Sequence, residues 1–153
     1  MSFRSLLAKF DAAAAALQSP LLLVIRLYWG LSFAQTGWGK LRHLDKTAEF
    51  FASIDIPLPK LNALAAGATE LLGGLLLALG LFARPATVPL IITMIVAYAT
   101  ADSEALRAIF SEPDGFVTAA PFLFLLASLV VLAFGPGRLS LDAWFSRKSH
   151  ASP

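Results

Sequence analysis

Apolar residues in this chain gather into four long blocks instead of alternating with polar ones. The blocks run Pro20 to Gly39, Leu61 to Phe82, Pro85 to Ala101 and Phe116 to Phe134. A bilayer's hydrocarbon core needs roughly 17 to 25 predominantly apolar residues per helix, so each block predicts a transmembrane helix. The expected fold class is all-α: a four-transmembrane-helix bundle with short interfacial amphipathic helices. Residues 1–19 are expected to form an interfacial amphipathic helix, residues 20–135 a single transmembrane domain, and residues 136–153 a polar tail.

The edges of the blocks carry their own signals. Phe3, Leu6, Leu7, Phe10, Ala14 and Leu17 recur at helical spacing, with Arg4, Lys9 and Asp11 between them, as in a helix lying on a membrane surface. A cleaved signal is disfavoured because Arg26 would interrupt its apolar core. Pro20 suits a first helical turn, where its missing N–H would have no partner, and Trp38 and Lys40 suit an interface. Phe50, Phe51 and Ile54 form an apolar stripe in the following loop, and Pro57 and Pro59 then forbid helix. The link Leu81 to Pro85 is so short that the second and third spans must be antiparallel neighbours. Pro89 and Pro121 each fall on the second turn of a span, and Gly135, Pro136 and Gly137 stop the last one.

Composition agrees with a lipid-facing surface. Only 14% of the 153 residues are charged, against about 25% in a soluble domain. There is no cysteine, which excludes thiolate metal sites, c-type haem and dithiol chemistry. His43 and His150 lie outside the blocks, so no bis-histidine haem fits within the bundle and no metal is expected. The net charge of +2 is scattered without a basic face, which argues against nucleic acid. Four crossings put both termini on one side. That side carries Arg4, Lys9, Arg84, Arg138, Arg147 and Lys148, against Lys40, Arg42, Lys46, Lys60 and Arg107 opposite. Six against five favours cytoplasmic termini.

Arg26 and Glu70 lie well inside apolar blocks, where an ionised side chain costs about 2.5 to 3.5 kcal/mol on insertion scales. They are expected to face the bundle interior and offset each other, directly or through a guest. Glu70 shares its helix face with Ala66, Gly67, Gly73, Gly74 and Ala78, a surface of small residues that another backbone can approach closely. Gly30, Phe33 and Gly37 follow Arg26 at helical spacing and offer a matching surface. Arg26 and Glu70 are the catalytic candidates, and Arg26, Trp29, Glu70 and Tyr98 the ligand-binding candidates. Lys40, Arg42 and Arg84 are read as head-group contacts. No nucleophile–histidine pair, phosphate-binding glycine loop or metal-ligand cluster is present.

Several blocks together carry a family resemblance. They are Arg26-Leu27 with Gly30 and Phe33; Gly37-Trp38-Gly39-Lys40-Leu41; Phe50-Phe51 leading to Ile56-Pro57-Leu58-Pro59; Glu70-Leu71-Leu72-Gly73-Gly74-Leu75-Leu76-Leu77; Gly80-Leu81 with Arg84; and Gly135-Pro136-Gly137-Arg138-Leu139-Ser140-Leu141-Asp142. In this order they resemble the DoxX family of small bacterial membrane proteins, over Pro20 to about Trp144. The resemblance implies a four-helix bundle in the bacterial inner membrane. It also implies a redox setting, because relatives include subunits of thiosulfate:quinone oxidoreductase and membrane partners of thiol or oxidative-stress enzymes.

The functional expectation is therefore a membrane subunit or partner of a quinone- or thiol-linked oxidoreductase system, not catalytic alone. A quinone would sit near Arg26, Glu70, Trp29 and Tyr98, and a separate redox protein would exchange electrons with it. A non-catalytic anchor or assembly factor and a small-molecule transporter are the alternatives. The bilayer, a redox partner and a second copy of the chain are the expected partners.

Overall fold

The computed structural model describes the backbone of residues 3–150 and the side chains of residues 3–148. Residues 1, 2 and 151–153, at the ends of the expected N-terminal and C-terminal segments, lie outside the described residues. Every regular element among the described residues is helical. In chain order these are α1 (Phe3–Arg42), α2 (Leu44–Ser53), α3 (Pro59–Leu79), α4 (Ala83–Ala99), α5 (Ser103–Arg107), α6 (Pro113–Thr118), α7 (Pro121–Phe134) and α8 (Leu141–His150).

Four of these helices close a ring: α1 packs on α3, α3 on α4, α4 on α7, and α7 back on α1. Small residues set the α1–α3 register. A methyl group added at Gly30 would meet the backbone of Gly74 and Ala78, and one added at Gly74 would meet Gly30 and Ala34. Farther along, Gly37 lies against Gly67 and Leu71. Without side chains at these notches the two backbones come into contact, which maximises dispersion contact where solvent supplies no hydrophobic force. Gly73 serves the next seam, where Leu90 of α4 fills its place. Phe33, Leu77, Ala83, Leu90, Met94 and Val131 form the core.

The helix ends depart from the expected ones at several places, among them Pro59, which opens α3 at its first turn instead of forbidding helix. α1 is continuous through Pro20, with no break between an N-terminal helix and the first span. Residues 3–18 are exposed on all sides, and burial begins at Leu22. The expected fourth block is divided: Phe116 belongs to α6, Ala119 is extended (φ −61°, ψ 144°), and a new helix starts at Pro121. Proline pre-sets the dihedral of a first turn and loses no bond there, so Pro121 opens α7 instead of lying in its second turn. In the segment after Gly135, expected as a polar tail, α8 forms and Asp142 is tied to the α3–α4 turn.

Two helices, α1 and α3, are long and apolar enough to cross a membrane, and α4 and α7 are shorter apolar helices. All four expose branched apolar side chains outward. Examples are Val24 and Leu31 on α1, Leu72 and Leu75 on α3, Ile92 and Ile95 on α4, and Leu126 and Leu129 on α7.

Candidate functional site

The glycine register decides where the charged residues of α1 and α3 meet. Because the helices run antiparallel, Arg26 comes level with Gly80, where an added methyl would strike its guanidinium. Glu70 lies ten residues earlier on α3, roughly 15 Å away at 1.5 Å per residue. The expected mutual neutralisation of Arg26 and Glu70 is therefore corrected. Each is buried, and each has a different partner.

Arg26 closes the terminal end of the bundle. Its Nη1 donates to the carbonyls of Leu77 at 3.4 Å and Ala78 at 3.1 Å, and its Nη2 donates to Leu139 at 2.6 Å. Leu77 and Ala78 belong to the last turn of α3, whose carbonyls carry partial negative charge, and the Leu77 carbonyl also accepts from the cap Gly80 N–H at 3.1 Å. Gly80 then adopts a left-handed conformation (φ +65°), turning the chain into α4. Asp142 completes the clasp by accepting from the N–H groups of Phe82 at 2.8 Å and Ala83 at 3.0 Å. Arg84 acts likewise on α7, donating to Leu132 and Ala133 while remaining exposed.

Glu70 pairs with Lys40 at 2.5 Å, with the carboxylate buried and the ammonium half-buried. Helical side chains lean toward their own N-terminus. On antiparallel helices at this register, that rule brings Lys40 and Glu70 together and points Arg26 away. Lys40 is the residue that sequence reasoning missed, because its place beside Trp38 at the end of a block suggests an interface anchor. The rule that separates Arg26 from Glu70 would have found Lys40 once the glycine register was fixed.

The ion pair lies in the wall of a cavity of about 670 Å³ at the end of the bundle away from the termini. Phe33, Met94 and Phe124 line it from the ring of helices, and Phe50, Phe51 and Ile54 from α2 and its end. The apolar stripe read before Pro57 thus faces this space. The α2 helix has no buried residue, and its Asp45 is tied to Lys60 at the start of α3 by an exposed pair at 2.8 Å.

Of the four ligand-binding candidates, only Glu70 reaches the cavity. Trp29 packs edge-on against Tyr28 and against the back of Phe124, each with ring centroids 5.0 Å apart. Tyr98 is buried, stacks on Phe116 at 4.6 Å and donates to the Phe116 carbonyl at 2.7 Å, pinning α6 to α4. It is neither a cavity residue nor an exposed interface anchor. Among the described residues no group of three or more His, Asp or Glu is placed to hold a metal ion.

With this geometry in hand, comparison with known proteins places the chain in a family. The DoxX family profile matches residues 21–103. The chain is 34% identical over 144 residues to "Uncharacterized membrane protein Rv3486" of Mycobacterium tuberculosis, covering 86% of this chain and 85% of that protein. It is 33% identical over 120 residues to "Putative oxidoreductase CatD" of Bacillus subtilis, covering 78% and 83%. It is also 37% identical over 79 residues to "Inner membrane protein YphA" of Escherichia coli, covering 52% and 55%. No solved structure matches the chain. This chain belongs to the DoxX family and is a membrane protein whose outer surface contacts the lipid bilayer.

Proposed function

We propose that this protein is a four-span protein of the bacterial inner membrane and the membrane component of a quinone- or thiol-linked oxidoreductase system, its cavity receiving a lipophilic small molecule. The observation that carries this reading is the cavity itself, apolar on most sides with one ion pair, Lys40 and Glu70, in its wall. Sites for small molecules are typically apolar clefts of roughly 300 to 1,000 Å³ with a few placed polar groups that fix orientation. The name carried by the Bacillus subtilis relative supports the redox association.

Four crossings are supported by the outward apolar side chains on α4 and α7 as well as on α1 and α3. The segments leading to the two termini meet at one end of the bundle, where Arg138 N–H donates to Ser19 and Arg26 donates to Leu139. The small excess of Lys and Arg there supports cytoplasmic termini. In the cavity, Lys40 is a hydrogen-bond donor and Glu70 a proton-carrying group beside it, the two functions a quinone's oxygens require on reduction. Electrons come from a separate redox protein, since the chain has no cysteine and no histidine within the four apolar blocks.

The test is purification with native lipid followed by mass spectrometry of the extracted small molecules. A bound quinone or its hydroxyl-bearing quinol is expected, with the quinol's occupancy reduced by Glu70→Gln, which removes the acceptor for its O–H. Absence of any quinone, together with unchanged redox activity of the membranes in that variant, would overturn the reading.

An anchor or assembly role is the second reading, and one observation favours it. Phe3, Leu6, Leu7, Phe10 and Leu17 of α1 are exposed ahead of the packed bundle, a surface on which a partner or the membrane face can dock.

A further inference from the structure

The Lys40–Glu70 pair leaves hydrogen-bonding capacity unused on both sides. An ammonium has three N–H donors, and Lys40 gives one to Oε2 of Glu70. Glu70 Oε1 has no hydrogen-bond partner among the described residues. Among the described residues Arg26 Nε is the single enclosed side-chain nitrogen or oxygen without a partner. Glu70 Oε1 therefore keeps a trace of accessible surface, on a side chain that is otherwise 3% exposed and lines the cavity. The wall offers free donors on Lys40 and a free acceptor on Glu70, side by side.

We infer that this pair recognises a hydroxyl group, and that the cavity's ligand is a lipophilic molecule bearing one, with its O–H donated to Glu70 Oε1 and its oxygen accepting from Lys40. This rests on the reading of the cavity as a ligand site and names the ligand's chemistry. A carboxylate would accept from Lys40 but meet Glu70 with like charge. An ammonium would satisfy Glu70 but meet Lys40 in the same way. A bare carbonyl or ether engages Lys40 and leaves Oε1 facing a group that cannot donate. A neutral hydroxyl puts donor and acceptor on one atom. The aromatic side chains of Phe33, Phe50, Phe51 and Phe124 complete the pocket for a flat apolar body behind that hydroxyl.

The experiment uses the full chain in nanodiscs, with equilibrium dialysis against biphenyl, 4-phenylphenol and 4-methoxybiphenyl, corrected for partition into empty nanodiscs. These probes share a body and differ only in the polar end. The expected result is saturable binding of all three, with the phenol about tenfold or more tighter than the ether, as hydrogen bonds to charged groups predict. In Lys40→Met/Glu70→Leu, biphenyl should still bind saturably and the phenol's preference over the ether should fall to within about twofold. Glu70→Gln supplies a second variant: its amide donates where Oε1 accepted, so phenol and ether should become equivalent while the fold keeps a hydrogen bond to Lys40.

Biphenyl binding with no preference for the phenol would overturn the hydroxyl assignment and leave the cavity reading standing. Persistence of the preference in both variants would overturn it too. No saturable binding of any probe would overturn the cavity reading, and this inference with it.

Discussion

Lys40 and Glu70 lie 30 positions apart in sequence yet meet at 2.5 Å, because each side chain leans toward the other from its own antiparallel helix. Their burial is unequal: the Lys40 side chain is 28% exposed and that of Glu70 3%. This asymmetry predicts how the pair fails. Lys40→Ala strands a buried carboxylate, and breaking a buried pair in this way costs about 3 to 5 kcal/mol. Glu70→Ala leaves an ammonium with partial access to the cavity and its mouth, so it should cost clearly less. Replacing both residues with apolar ones of similar size should recover most of the loss. Thermal unfolding of the four proteins in one detergent, followed by circular dichroism, measures the cycle. Equal losses from the two single changes would contradict the burial asymmetry.

Arg26 predicts the opposite behaviour. Its guanidinium serves three carbonyls on two segments, Leu77 and Ala78 on α3 and Leu139 near the C-terminus. A lysine there cannot reproduce the planar fork. Arg26→Lys is expected to destabilise by roughly 2 to 4 kcal/mol, within the range for removing buried charge-assisted bonds. Exchanging the charges, with Arg26→Glu and Glu70→Arg together, should fare worse than either single change, because each new charge would enter the other's unsuited surroundings. Restored folding in the exchanged protein would show that the two residues interact after all.

Much of the architecture is legible in the sequence because helix-long apolar blocks and glycine notches are local signals. The small-residue face holding Gly67 and Gly74 does pack against the one holding Gly30 and Gly37. The separation of Arg26 from Glu70 is not recoverable from depth alone. Two charges placed near mid-bilayer by counting along separate helices can differ by two or three turns in height, and that range includes both a contact and a separation of about 15 Å. Only the glycine register removes the ambiguity. Lys40 reads as a head-group contact because Trp38 and Lys40, two positions apart, fit an interface pattern that describes an average side chain, whereas a long lysine stem reaches back a full turn. The start of α7 failed for another reason: hydropathy cannot see the extended residue Ala119 that divides an apolar run.

The exposed pair Asp45 and Lys60 links α2 to α3 outside the cavity. The hydrogen bond from Lys60, and then its charge, holds the Asp45 carboxyl below its ordinary range. A depressed folded-state value means that the stabilisation is present above the unfolded-chain pKa of about 4 and is lost as pH falls through the lower folded value. Exposure keeps the effect small and open to screening. Carbon-detected NMR titration of Asp45 should give a lower midpoint in the parent protein than in Lys60→Met, and the two should converge as salt approaches about 1 M. Midpoints that coincide at low salt would show that α2 is not tied through this pair.

Glycines in α1 separate contact from propensity. At Gly30 an added methyl would lie 2.6 Å from the Ala78 backbone nitrogen, and at Gly74 it would lie 2.6 Å from the Gly30 carbonyl oxygen. Backbone atoms in a packed helix cannot rotate aside as a side-chain tip can, so the helices must separate. Overpacking of this kind costs about 1 to 3 kcal/mol, and at these positions it also shifts the register that brings Lys40 to Glu70. Gly39 belongs to the same helix, but an added methyl there meets nothing within 4 Å. Gly39→Ala should therefore be neutral or stabilising by about 0.5 to 1 kcal/mol through backbone entropy alone. Unfolding midpoints should fall for Gly30→Ala and Gly74→Ala and hold or rise for Gly39→Ala. A midpoint lowered as far by Gly39→Ala as by Gly30→Ala would mean that helicity, and not the α1–α3 contact, sets the sensitivity of this segment.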